Sequence, residues 1–450
     1  MRRFSRTLAL AAGLLVSAQP ALADDLVTIL ELAMRNDPTL RQAQAQLRSG
    51  QQQLTLARSS LLPQANASFS EQRQSAGPEG EVTLTDLDSE SRRYGLSFNQ
   101  ALLNLPDWYS YQGAKEADQA LLYNFAAQEQ ALIIRVATAY FNVLRNIDQL
   151  DTRRQEEEAS QREFERTQQR EEVGLVAITE VYEAQAVYDL ARNNTILAED
   201  ALASAYEALE AITGQPHPNV EVLSEDFPIV EAEGSMNGWV DEALINNPQL
   251  LAARYNVDAQ AEIAKARSAA RWPTVTLQGG YSNSESNSGQ GTDGSQRAIG
   301  AIEGASIAVQ ITVPLYTGHA LTARRRQAEY DLVAQQEQAN LIRRTTTQDI
   351  RNAYRSVNTD ALVIAQRRQA IISAEAALNA IEAGYEVGTR NIVDVLQARQ
   401  LLFGALRDFA NARYNYVIDA LELKRVAGVL TPQDIIELNQ WLVEEAATAQ

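Results

Sequence analysis

The chain has no cysteine and only two histidines. Without cysteine there are no disulfides, no thiolate metal sites and no lipid attachment through sulfur. His217 sits between Pro216 and Pro218, and His319 just past an alternating run; neither has a second histidine at metal-ligand spacing, so no metal centre is expected. Long apolar runs are missing as well. Nothing past the first 23 residues approaches the roughly twenty apolar residues a spanning helix needs. Basic charge is scarce, with 39 Lys and Arg against 58 Asp and Glu and a net charge of −19, which argues against nucleic acid as a partner. The string Gly289-Gln-Gly-Thr-Asp-Gly294 lacks the spacing of a calcium or phosphate loop. No catalytic constellation and no cofactor motif stands out, so the chain is not expected to be an enzyme. Proline is absent between Pro106 and Pro216 and again between Pro314 and Pro432.

What fills these proline-free stretches is duplicated. Set Gly174 against Gly388, and Val173 meets Val387, Ile178 meets Ile392, Glu180 meets Asp394 and Val181 meets Val395. The same spacing carries Ala139-Tyr140 onto Ala353-Tyr354. A nearby offset carries Asn36-Asp-Pro38 onto Asn246-Asn-Pro248. The chain is therefore two copies of one unit, each turning at a glycine.

Residues 1–23 have the form of a secretory signal: Arg2, Arg3 and Arg6, an apolar core from Leu8 to Val16, then Ala21-Leu22-Ala23. A membrane anchor is the rival reading, but the apolar run is short for it. Repeat 1 is expected over 24–213 and repeat 2 over 237–427. Residues 214–236 would form a connector and 428–450 a short helix, at about 433–443, with an acidic tail.

Each repeat begins with a helix, about 38–61 or 237–271, and then alternates. Ala65, Ala67 and Phe69 oppose Gln64, Asn66 and Ser68; Tyr94, Leu96 and Phe98 oppose Arg93, Ser97 and Asn99. In repeat 2, Val275 and Leu277 alternate with Thr274, Thr276 and Gln278, and Ile307, Val309 and Ile311 with Ser306 and Gln310. Strands are expected at about 63–75, 91–104, 272–283 and 301–316, with polar loops at 75–91 and 283–300. A half-buried sheet of a soluble protein fits this pattern. A porin-like wall, apolar to lipid and polar to water, fits it too, and Trp108, Tyr109, Trp272 and Tyr316 cluster where strands meet helices, as an interfacial belt requires. Four strands cannot close a barrel, so a membrane wall would need further copies of the chain; a trimer would bring twelve strands.

The proline-free stretches read as very long helices returning through shorter ones, about 178–213 and 391–427. A returning half-helix stacked on a leading half-helix would match one long helix in length. In the second return, Val395, Leu402, Phe409, Tyr416 and Leu423 recur every seven residues, with Ala398, Ala405 and Ala412 between. In the first, Val181, Tyr188, Thr195, Leu202 and Leu209 do the same. Such a repeat implies left-handed coiled-coil packing, in a tube or in an ordinary bundle.

Five strings carry a family resemblance: Ala137-Thr-Ala-Tyr-Phe-Asn-Val-Leu144, Val173-Gly-Leu-Val-Ala-Ile-Thr179, Gly384-Tyr-Glu-Val-Gly-Thr-Arg390, Ile392-Val-Asp-Val-Leu396 and Ala410-Asn-Ala-Arg-Tyr-Asn-Tyr416. The chain resembles the TolC-type outer-membrane factors over nearly its whole length. The resemblance implies an α+β membrane protein: a trimeric twelve-stranded β-barrel, four strands per chain, continuing into a twelve-helix periplasmic α-barrel. It implies an outer-membrane exit duct that works with a periplasmic adaptor and an inner-membrane RND or ABC pump, passing drugs or secreted proteins. A periplasmic coiled-coil spacer or adhesin is the alternative. Carried over by position, Tyr385 should reach Glu180, and Arg390 should reach Thr179 or an acidic neighbour, closing the tip. Asp394 should form an anionic ring at the mouth. Many relatives have a second aspartate one turn on, where this chain has Gln397, so a single ring is expected. The alternative is that Asp394 caps or solvates a helix start. Val173, Gly174, Leu175, Val387, Gly388 and Thr389 match the motifs that adaptors grip.

Overall fold

The computed structural model describes residues 25–76, 87–288 and 297–443. The expected signal segment, the outermost parts of both expected loops and the end of the tail fall outside these residues.

The leading helix of each repeat is two helices. α1 (Leu26–Asn36) breaks at Asp37 before α2 (Pro38–Ser59). In the second repeat the corresponding break, at Asn247, falls inside what the sequence suggested was one helix; the two parts, Met236–Asn246 and Pro248–Ala269, are α5 and α6 below. Asp37 accepts from Leu40 N at 2.6 Å, and Asn247 from Leu250 N at 3.0 Å. Each is an N-cap followed by proline at the first helical position, where the missing N–H costs nothing.

Next come β1 (Gln64–Ala76), β2 (Leu87–Leu103), the long α3 (Leu105–Glu172) and its return α4 (Ile178–Thr213). A short β3 (Val222–Leu223) lies in the connector. Repeat 2 follows with α5 (Met236–Asn246), α6 (Pro248–Ala269), β4 (Thr274–Ser288), β5 (Arg297–Thr312), α7 (Ala320–Glu386) and α8 (Ile392–Ala427). β5 stops short of the expected residue 316: Pro314 has no N–H to give a ladder. The terminal helix is α9 (Pro432–Asn439), ending before residue 443, because Leu442–Val443 form β6, which pairs with β3.

The long strands form one antiparallel sheet in the order β1-β2-β4-β5. Register puts Ala65, Phe98, Gly279 and Ile307 in one row, and Ala67, Leu96, Tyr281 and Ala305 in the next, all on one face. Asn66, Ser97, Gly280 and Ser306 share a row on the other. The apolar face is bare: Phe69, Leu96, Ile307 and Val309 are 60, 55, 80 and 60 % exposed. From Ile311 to Glu303 this face runs about 27 Å along the strand. At its outer end Arg73 meets Glu71 at 3.1 Å, and Arg92 meets Glu90 at 3.1 Å. At its inner end stand exposed Trp108, Trp272 and Tyr316 and half-buried Tyr109. Among the described residues β1 and β5 are edges with no partner strand.

Each returning helix stacks on the leading helices of its own repeat. α4 ends at Gly214 (φ 75°) and α8 at Gly428 (φ 81°). Asn36 Nδ2 donates to Thr213 O at 2.9 Å, and Asn247 Nδ2 to Val426 O at 2.8 Å. At Gly428 a Cβ would lie 2.4 Å from Asn246 O, so this junction tolerates nothing larger than glycine. The main core lies at this mid-height belt, around Leu132, Val136, Tyr140, Phe141 and Leu144 of α3, all at most 1 % exposed. The connector is tied over it: Tyr416 Oη donates to Val230 O at 2.7 Å, and Tyr140 Oη to Glu221 O at 2.7 Å. The seven-residue rows are the packed ones, with Val395, Tyr416 and Leu423 buried on α8 and Val181, Thr195 and Leu209 on α4.

Candidate functional tip

Both helical hairpins turn at glycines in the left-handed region, Gly174 at φ 73° and Gly388 at φ 78°. A Cβ at either would meet nothing within 4 Å, so conformation and not space requires glycine there. At the second turn Thr389 N donates to Gly384 O at 2.8 Å, and the Thr389 hydroxyl to the same oxygen at 3.0 Å. The residues around the glycines are open to solvent: Val173 and Leu175 are each 69 % exposed and Val387 is 75 %. Thr389 is exposed too.

Tyr385 is buried in a small apolar cluster with Leu378, Ile392, Val395, Leu396 and Ala398. Its hydroxyl donates to Glu180 Oε2 at 3.4 Å, and the Arg170 guanidinium lies 4.9 Å from its ring centroid. Burial raises the Tyr385 phenol above its ordinary value; Arg170 opposes the shift and Glu180 adds to it. The hydroxyl therefore stays protonated and can only donate to the Glu180 carboxylate.

Arg390 does not reach Thr179 within the chain. Its guanidinium lies 3.8 Å from Asp394 Oδ2, one turn along the same helix, and Thr179 stands exposed at the start of α4. Asp394 also completes a capping box: Asn391 Oδ1 accepts from Asp394 N at 2.8 Å, and Asp394 Oδ2 accepts from Asn391 N at 3.4 Å. Its carboxylate thus has two local partners yet remains a third exposed, and Gln397, one turn on, is exposed.

A second charged cluster stands nine residues of helix, about 14 Å, from the end of α3. Arg399 of α8 donates to Glu382 Oε1 of α7 at 2.6 Å and to Ala159 O of α3 at 3.2 Å, and lies 3.6 Å from Glu163 Oε2. Arg399 is 16 % exposed and Glu163 7 %. One guanidinium joins three helices and both hairpins. Arg166 of α3 and Glu386 of α7, 3.4 Å apart, form a further link at the surface. The partners are too far apart in the chain for spacing to reveal them. The one sequence signal is charge at seam-adjacent positions, Glu163 a turn before Thr167 and Arg399 beside Ala398.

Among the described residues no group of three or more His, Asp or Glu could hold a metal ion. His217 is buried with Nε2 at 2.8 Å from Thr213 Oγ1, and His319 precedes α7 at φ 67°. The tip thus combines exposed apolar turns, a buried tyrosine and charged links of differing burial between two hairpins.

Comparison with known proteins gives one consistent result. The family model described as outer membrane efflux protein matches residues 29–215 and 239–429. The chain is 36 % identical over 425 residues to the outer membrane protein TolC of Vibrio cholerae, covering 93 % of this chain and 94 % of that one. It is 29 % identical over 434 residues to the alkaline protease secretion protein AprF of Pseudomonas aeruginosa, covering 94 and 88 %. Its fold is similar to the Campylobacter jejuni CmeC outer membrane channel, with a TM-score of 0.75 at 18 % identity over 94 and 90 % of the two chains.

Proposed function

This chain belongs to the outer membrane efflux protein family, and from that membership we propose that it is the exit duct of a tripartite export system. Three copies join edge to edge, β5 of each pairing with β1 of the next, into a twelve-stranded barrel in the outer membrane. Below it the helices continue as a periplasmic tube. An inner-membrane pump of the RND or ABC kind delivers the cargo, a drug-like molecule or a secreted protein, and a periplasmic adaptor holds the assembly together. The observation that carries this reading is the sheet: one bare apolar face, one polar face, two unpaired edges, and charge and aromatics bounding the band. A coiled-coil spacer has no use for such a wall.

The tip is the gate. The Tyr385–Glu180 bond, the Arg170–Tyr385 contact and the Arg399 cluster tie the two hairpins of a chain together, and opening parts them. The exposed Val173, Leu175, Val387 and Thr389 around the glycine turns are the adaptor's grip. Asp394 of three copies forms a single acidic ring at the mouth that favours cations, with neutral Gln397 behind it. No step here calls for catalysis. The test is to purify the outer-membrane fraction and record conductance in planar bilayers. Discrete cation-preferring channels support the duct. Material that fractionates as soluble periplasmic protein and conducts nothing sinks it.

A further inference from the structure

The duplication lets one seam of the tube be compared with another. Within the chain, α3 packs against α8 through an apolar face. Ile133, Ala137 and Phe141 are at most 2 % exposed, and the Phe141 ring lies 6.0 Å from that of Tyr414. Gln130 Nε2 donates to Gly428 O at 3.2 Å and Leu430 O at 3.1 Å, so it caps the end of α8. The spacing that separates Gly174 from Gly388, and Gly214 from Gly428, carries these positions onto repeat 2. There Gln130 becomes Arg344, Ile133 becomes Thr347, Ala137 becomes Arg351 and Phe141 becomes Arg355. These arginines are exposed and, with Leu244 of α5, line an open groove of about 470 Å³.

The other half of the seam changes in the complementary sense. Tyr414 of α8 corresponds to Asp200 of α4, Leu421 to Glu207 and Lys424 to Glu210, and all three acids are exposed. α8 carries Lys424 and Arg425 in its last turn, opposing its dipole; α4 has no basic residue there. One helix face has gained positive charge, and the face that pseudo-symmetry sets against it has gained negative charge.

Resting on the trimer reading above, we propose that the arginine groove of α7 receives α4 of the adjoining copy. Arg355 pairs with that copy's Asp200 and Arg351 with its Glu207. Arg344 takes the role of Gln130 and donates to the carbonyls at the end of that α4. At this height the seam inside each chain is apolar and forms on folding. The seam between chains is ionic, which keeps the lone chain from exposing apolar surface here and lets charge select partner and register.

The chain has no cysteine, so a disulfide trap is clean. In the full-length protein, Asp200→Cys with Arg355→Cys should give covalent trimers on oxidation, and either single variant none. Phe141→Cys with Tyr414→Cys should close within one chain and leave its mass unchanged. Separately, Arg355→Asp should lower the trimer fraction about tenfold, because it sets like charges against each other across the interface. Adding Asp200→Arg should restore it. Trimers on native sizing without the 200–355 crosslink, or a double swap as poor as the single, would overturn the seam and leave the trimer standing. If wild type gives no trimer at all, the trimer reading itself fails.

Discussion

Removing Arg399 should open the tip more than removing any exposed link. Arg399→Ala strips Glu163, 7 % exposed, of its cation and takes two further partners from the same guanidinium. Breaking a buried pair by deleting one partner costs about 3–5 kcal/mol. The Glu163 contact is long at 3.6 Å and Glu382 is 39 % exposed, which puts the loss near the lower end, about 3 kcal/mol. Spent on the closed state alone, that shifts the closed-to-open ratio about a hundredfold. Arg166→Ala, at a pair whose side chains are 54 and 64 % exposed, removes at most about 1 kcal/mol, a shift of about fivefold. Single-channel recordings in planar bilayers can rank the two: Arg399→Ala should reach long-lived high-conductance states, and Arg166→Ala should stay near wild type. Adding Glu163→Gln to Arg399→Ala should recover part of the closure, because no buried charge is then left alone. Equal opening by the two arginine variants, or none by Arg399→Ala, refutes the buried-latch reasoning.

Variants separate the observed capping contact of Asp394 from its proposed ring role: Asp394→Ala should abolish cation preference, whereas Asn391→Ala should weaken the helix cap by about 1 kcal/mol and leave selectivity intact. Ion-selectivity recordings decide between them, and retained preference in Asp394→Ala refutes the ring. Gln397→Asp should add a second ring and strengthen block by polyvalent cations, read as a lower blocking concentration in the same recordings. Gly428→Ala should impair assembly far more than Gly174→Ala, since its Cβ would strike Asn246 O at 2.4 Å while that of Gly174 meets nothing; yields of protease-resistant oligomer would test this. Burial, and then the neighbouring Asp419, raise the Asp360 carboxyl to about 6. Its folded value lies above its unfolded one, so its contribution to stability is present in acid and lost as pH rises from about 4 through 6. Asp360→Asn should therefore raise the unfolding free energy at pH 7.5 by about 1 kcal/mol once solvent screening is allowed for, seen as a higher denaturant midpoint, and should leave it unchanged at pH 4.

Much of this architecture is legible in the residues, for identifiable reasons. Period-two alternation from Ala65 and from Val275 marks strands with unlike faces, and burial on only one or neither side preserves that signal. The lack of proline after Pro106 and Pro314 permits helices of 68 and 67 residues, and the glycines that break them need a positive φ. The break at Asn247 was harder to see, because proline at a first helical turn fits a continuous pattern as well as a new start. β3 and β6 are too short for periodicity to show. At the tip, the Tyr385–Glu180 contact could be carried over by position. Of the two partners expected for Arg390, Thr179 or an acidic neighbour, the chain shows the second, because a flexible side chain takes its nearest carboxylate, here Asp394. The Arg399 cluster joins residues from three helices, and only packing brings them together.

The central claim is that one chain builds only a third of a hollow cylinder. The mass of the detergent-solubilised outer-membrane particle, measured by multi-angle light scattering with the detergent subtracted, tests it directly. About three times the chain mass of 49.6 kDa, less the expected signal segment of each copy, is the expected result. A particle of one chain, or of a number that leaves the β1 and β5 edges unpaired, would contradict it.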